Sequence, residues 1–214
     1  MNEIQRGKII VISGFSGAGK GTVMNRLMEK YGDNYALSVS ATTRAPRSGE
    51  IEGVSYFYKT DEEFQKMIEN DELIEYAGYV GHYYGTPRSY VEKNLSAGKD
   101  VLLEIEIQGA MNIKSKYPDA VLLFITAPSA EVLKNRLLNR GSETREVVRE
   151  RLLRATKEAE GVDSYDYIVV NDDLEKCVEE VDRIIKSAHN IAGDRLSLID
   201  GIKNDLNNLL KENC

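Results

Sequence analysis

An α/β fold with a parallel central sheet is what this sequence predicts, on three observations. Short unbroken apolar runs alternate with stretches whose apolar residues recur every three or four positions. The runs lack the polar alternation of a half-exposed strand, so helices must cover both faces of the sheet. A glycine-rich turn, Gly14 to Gly19, joins the first run to the first helical stretch.

In chain order, Ile9-Ile10-Val11-Ile12 reads as a strand, followed by a helix bearing Val23, Met24, Leu27, Met28 and Tyr31. Val101-Leu102-Leu103 and Ile105 read as another strand, with a helix from about Gln108 to Lys116. Val121-Leu122-Leu123-Phe124-Ile125 precedes a helix carrying Val132, Leu133, Leu137 and Leu138. Tyr167-Ile168-Val169-Val170 precedes one carrying Leu174, Val178, Val181, Ile184 and Ile185.

The stretch from about Tyr35 to Tyr90 breaks this rhythm. Its strands are short, and seven of the twelve tyrosines lie between Tyr56 and Tyr90. It reads as an inserted α+β lobe, with Tyr58, Tyr76 and Tyr79 in its core, His82 in a loop, and His189 on the surface of a later helix. Near the end of the chain, Leu196, Ile199, Ile202, Leu206, Leu209 and Leu210 describe an extra amphipathic helix. The expected partition is a core of residues 1–34 and 98–190 with a lid at about 137–150. A lobe over 35–97 and a C-terminal helix over 191–214 complete it.

Composition narrows the function. Of 214 residues, 42% are apolar and 29% charged, the balance of a soluble globular chain. A net charge of −7 argues against a nucleic-acid partner. Yet six arginines fall between Arg136 and Arg154, and Arg44 and Arg47 stand close together, which suits a small polyanion. The two cysteines, Cys177 and Cys214, make neither a disulfide framework nor a metal pattern, so the expected compartment is the reducing cytoplasm. No signal-peptide pattern opens the chain, and no apolar run approaches the ~18 residues of a membrane span.

The segment Gly14-Phe15-Ser16-Gly17-Ala18-Gly19-Lys20 lies after a buried strand and before a helix, the setting that makes a phosphate-binding loop credible. Glycine permits backbone conformations in which successive N–H groups point at phosphate oxygens, and the helix N-terminus adds partial positive charge. Lys20 would supply a full charge to the β- and γ-phosphates. A Ser or Thr usually follows the lysine and reaches Mg²⁺; here Gly21 follows, then Thr22, and the stretch Gly19-Lys20-Gly21-Thr22 resembles the loop of adenylate kinases. The loop by itself leaves the acceptor open, since many nucleotide-using proteins share it.

A second arginine pair, in Ser40-Ala41-Thr42-Thr43-Arg44-Ala45-Pro46-Arg47-Ser48-Gly49-Glu50, points to a second phosphate. With Gly53 and Tyr56 in register, this stretch resembles the guanylate kinase signature. Tyr83-Tyr84-Gly85-Thr86, Gln108-Gly109-Ala110, Arg136-Leu137, Arg140-Gly141-Ser142-Glu143 and Asn171-Asp172-Asp173-Leu174 extend the match over about residues 7 to 190. The resemblance implies a P-loop NTPase three-layer fold with an inserted GMP-binding lobe and a helical lid. It also implies an enzyme that moves a phosphoryl group from ATP to GMP, and to dGMP.

By the same resemblance, residues 14 to 22 and Asn171 would hold ATP, although Asn171 reads equally well as a helix N-cap. Ser40, Arg44, Arg47, Glu50, Tyr56 and Tyr84 would hold GMP around its phosphate. Glu75, Thr86 and Glu106 would read the guanine edge. Arg136, Arg140 and Arg151 would be lid arginines acting with Lys20 and Arg44 on the transferred group, while Arg145, Arg149 and Arg154 read as a solvated helix face. Mg²⁺ would be held through water by Thr22 and Glu104. The family's usual Asp-x-Asp is here Glu104-Ile105-Glu106, each one methylene longer. Two rivals are a silent phosphopeptide-binding relative and a kinase for a phosphorylated sugar. The intact cradle and arginines disfavour the first; Glu75 and Thr86 disfavour the second.

Overall fold

The structure is a computed structural model that describes residues 5–139 and 145–212. Arg140, Gly141, Ser142 and Glu143 lie outside the described residues. Along the chain the elements are β1 (Ile9–Gly14), α1 (Lys20–Tyr31), β2 (Tyr35–Leu37), β3 (Ala41–Thr42), β4 (Phe57–Tyr58), α2 (Asp61–Glu69), β5 (Leu73–Tyr79) and β6 (His82–Pro87). They continue with α3 (Arg88–Ser96), β7 (Asp100–Glu104), α4 (Ile107–Lys116), β8 (Val121–Thr126), α5 (Ala130–Leu138), α6 (Arg145–Ala159), β9 (Tyr167–Val170), α7 (Leu174–Ala188) and α8 (Leu196–Glu212).

The large sheet has the order β2-β7-β1-β8-β9, and every pairing in it is parallel. All six residues of β1 are buried, which is why its sequence shows no alternation. Ile10 and Ile12 pack on one side with Val23, Met24 and Leu27 of α1 and Val178, Val181 and Ile185 of α7. Ile9 and Val11 pack on the other with Val91 and Leu95 of α3 and Ala110 and Ile113 of α4. The result is three layers, helix–sheet–helix. Ligands of such sheets bind beyond the carboxyl ends of the strands, where strand order reverses; here that is the end of β1, flanked by β7 and β8.

The small sheet has the order β4-β3-β6-β5. Its core is Ala41, Phe64 and Leu73, backed by Phe57, Met67 and Ile68. Helix α2 is started by Thr60, whose hydroxyl accepts from the Glu63 N–H while the Glu63 carboxylate accepts from the Thr60 N–H.

Four details differ from the sequence expectation. Tyr35–Leu37 pairs with β7 in the large sheet, and α3 packs on that sheet, so the lobe's own strands run only from Ala41 to Pro87. A three-residue apolar run cannot by itself announce which sheet it joins. Tyr76 is exposed and Tyr58 spends its hydroxyl on Glu50, because Phe64 already fills the lobe's interior. His189 is half-buried, with Nε2 2.8 Å from Oδ1 of Asp100, since the end of α7 returns over the start of β7. His82 lies exposed in β6, not in a loop.

Phe64 is fully buried and stacks on Tyr83 at 5.6 Å. Phe64→Ala is expected to destabilise the protein by about 3–5 kcal/mol, read as a lower midpoint of urea unfolding; a midpoint matching the unmodified chain would refute this packing role.

Candidate active site

The turn after β1 is shaped by two glycines. A Cβ on Gly14 would sit 2.1 Å from the Ile125 carbonyl oxygen, so only glycine lets β1 end against β8. Gly19 precedes α1 at φ +88°, where a Cβ would press on the Asn171 amide at 2.6 Å. Lys20, first residue of α1, folds back over the loop and donates to the Gly14 carbonyl at 2.7 Å. Gly21 and Thr22 are exposed on the first turn.

Three side chains from distant segments tie this loop down. The Asn171 amide donates to the Ala18 carbonyl at 2.8 Å. Arg136 donates to the Asn171 carbonyl at 2.9 Å and to Ala18 at 3.4 Å. Arg151, on α6, donates to Ser16 Oγ at 3.0 Å. Asn171 is thus no helix cap: Asp173 caps α7 by accepting from the Lys176 N–H. A cavity of about 310 Å³ lies beside the loop, lined by Gly17, Gly19, Thr22, Arg136, Asn171, Asp172 and Leu174.

In the small lobe, Arg44 is held by Glu50 through two bonds of 2.8 and 3.0 Å. Glu50 also accepts from the Arg47 N–H and the Tyr58 hydroxyl, each at 2.8 Å. The Arg44 hydrogen bond, helped by the Arg47 amide, holds the Glu50 carboxyl down at about 2. The guanidinium of Arg44 lies over the Tyr56 ring at 5.2 Å, and Tyr56 meets Tyr84 edge to face. Glu50 therefore orients an arginine here. Ser40 is half-buried near this turn, and Arg47 is exposed.

Deeper in the lobe, β5 and β6 pair with Glu75 opposite Thr86. Both are buried, and Thr86 donates to Glu75 Oε1 at 2.7 Å. Burial raises the Glu75 carboxyl above its ordinary range, against the pull of Thr86 and Lys116. Gly109, on α4, leaves room for the carboxylate: a Cβ there would sit 2.9 Å from Glu75 Oε2. Between lobe and cradle, Glu104 ends β7 and Glu106 opens α4. Glu104 is exposed at the end of β7, yet the surrounding protein raises its carboxyl, with Glu106 adding to the shift and Lys20 opposing it.

Sequence reasoning missed Glu158. It lies on α6 two turns from Arg151, and its Oε2 is buried with no hydrogen-bond partner found among the described residues. Burial raises this carboxyl, and Glu106 raises it further. The i, i+7 spacing from Arg151 was the available signal, hidden in a helix crowded with charge.

A family model described as guanylate kinase matches residues 6–188. The chain belongs to the guanylate kinase family. It is 50% identical over 185 residues to the guanylate kinase of Oceanobacillus iheyensis, covering 86% of this chain and 89% of that one. It is 45% identical to that of Bacillus subtilis, over 86% and 91% of the two chains. The crystal structure of guanylate kinase from Anaplasma phagocytophilum superposes with a TM-score of 0.72 at 34% identity, over 88% and 89% of the chains. In this family member, then, the cradle ends β1 of the large sheet, and the arginine–tyrosine cluster belongs to the small lobe.

The Arg44–Glu50 pair has a pH signature. A carboxyl held below its unfolded value contributes stability that is full above about 4.3 and is lost as pH falls toward about 2. The stability difference between the unmodified chain and Glu50→Gln should therefore shrink across that window. A difference constant from neutral pH down to about 2 would contradict the pairing.

Proposed function

We propose that this protein catalyses the transfer of the γ-phosphoryl group of ATP to GMP, giving ADP and GDP, and that dGMP, with the same base edge and phosphate, also serves. The observation that carries the guanine assignment is the buried Glu75 carboxylate, braced by Thr86. Guanine presents N1–H and N2–H₂ as donors; adenine has no N1–H and would leave a buried acceptor unpaired, at about 1–3 kcal/mol or more.

In the proposed mechanism a phosphate oxygen of GMP attacks the γ-phosphorus of ATP in line. The new P–O bond forms as the bond to the β-phosphate oxygen breaks, and no side-chain nucleophile is used. The loop from Gly14 to Gly19 and Lys20 hold the donor phosphates; Asn171 and Arg136 border the adenine side. Ser40, Arg44, Arg47, Tyr56 and Tyr84 hold the acceptor phosphate, with Glu50 presetting Arg44. Glu106 and Thr86 join Glu75 at the base. Arg136 and Arg151, with Arg140 from outside the described residues, neutralise charge that spreads over the transferring group. Lid closure excludes water and so limits hydrolysis of ATP.

Thr22 and Glu104 supply the hard oxygen donors Mg²⁺ prefers, and a site with few protein ligands suits an ion that keeps its waters and arrives with ATP. Mg²⁺ would offset charge on the β- and γ-phosphates when bound. We place the protein in the cytoplasm, on its scarce cysteine: Cys177 is a buried thiol, pushed up by burial to about 11. Among the described residues no helix is long and apolar enough to cross a membrane.

A coupled assay with ATP, Mg²⁺ and each nucleoside monophosphate tests the proposal; equal turnover of AMP and GMP, or none with GMP, would sink it. Lys20→Ala should lower kcat by about 10²–10³, as should Arg151→Ala with GMP binding retained. Glu75 must be ionised to accept from guanine, and its carboxyl is raised, so KM for GMP should climb on acidification before ordinary carboxylates titrate. Glu75→Gln should remove that climb and raise KM for GMP about tenfold or more. A pH profile identical in both proteins would argue against Glu75 as the base reader.

A further inference from the structure

Helix α8 lies beyond residue 188, where the family match ends. Ile199, Ile202, Leu206 and Leu209 fall at 3-4-3 spacing along it, flanked by Leu196 and Leu210. Each of the six is between 47% and 65% exposed. We propose that this face is a self-association surface, covered by α8 of a second copy of the chain.

Three observations favour a second copy over other occupants. The spacing is that of an a/d seam, the pattern by which helices pair with helices. The area is sufficient: about 60–120 Å² per aliphatic side chain, from about 1.5–3 kcal/mol at about 25 cal/mol/Å², gives roughly 400–700 Å² per copy. That reaches or exceeds the ~300–600 Å² patch of a typical monomer and approaches the ~800 Å² per partner of a stable interface. The charges also fit. Asp200, Asp205 and Glu212 against Lys203 and Lys211 nearly balance, so two copies hardly repel, and the helix lacks the cationic face of a membrane-surface helix.

The body of the protein reaches the segment before α8 through Lys8, which bonds Asp194 at 2.7 Å and fixes where the helix departs. A lone helix of 17 residues is only marginally stable in water. Packing on a partner supplies what intrinsic propensity does not.

The test is sedimentation velocity of the full chain across the micromolar range, with and without vesicles of phosphatidylserine and phosphatidylcholine. The expected species has twice the 24.0 kDa chain mass and leaves vesicles unbound. Ile202→Glu combined with Leu206→Glu, and separately a chain ending at Arg195, which keeps the Lys8–Asp194 contact, should each halve that mass. Thermal unfolding of the body should be unchanged in both, which shows that it still folds. A monomeric unmodified chain would overturn the proposal, as would a dimer that survives both changes or a monomer that pellets with vesicles. None of these outcomes depends on the substrate, so kinase assays succeed or fail separately.

Discussion

The contact on which the rest of the site depends is the one at Gly14, where β1 ends against the Ile125 carbonyl with no space for a Cβ. That closeness lets the chain turn at once and begin α1 at Lys20. The loop between exposes the Ala18 carbonyl to Asn171 and Arg136, and the Ser16 hydroxyl to Arg151. A side chain at Gly14 would part β1 from β8, and the ends of three distant segments would lose their common anchor.

In the small lobe the same device appears twice. A hydrogen bond to a carboxylate sets a binding side chain before any substrate arrives: Glu50 holds Arg44, and Thr86 holds Glu75. Prior fixing removes rotamer entropy from the binding step, which is how a small lobe can read a phosphate and a base edge together. The electrostatic consequences run in opposite directions. Glu50, half-buried but beside a cation, is pulled down; Glu75, buried, is pushed up.

The arrangement of strands was legible because burial on both faces leaves an unmistakable mark: Ile9 to Ile12 and Val121 to Ile125 are apolar without interruption. The cradle was legible because its geometry demands glycine at set spacing. Glu158 was not legible, because one carboxylate among the many charges of α6 looks solvated until the fold buries it within reach of the Glu106 charge. Tyr35–Leu37 failed for the opposite reason, since three residues carry too little period to reveal which sheet they join.

By itself the sequence determined the layers, the phosphate-binding turn, the second arginine pair and the family resemblance, because each rests on local spacing or residue chemistry. Only the tertiary structure decided that Glu50 belongs to Arg44, that Asn171 props the cradle while Asp173 caps α7, and that Gly109 clears space for Glu75. These are contacts between segments distant in sequence or in the turns of a lobe. Their partners are chosen by where the backbone brings them, and no local pattern in the chain encodes that distance.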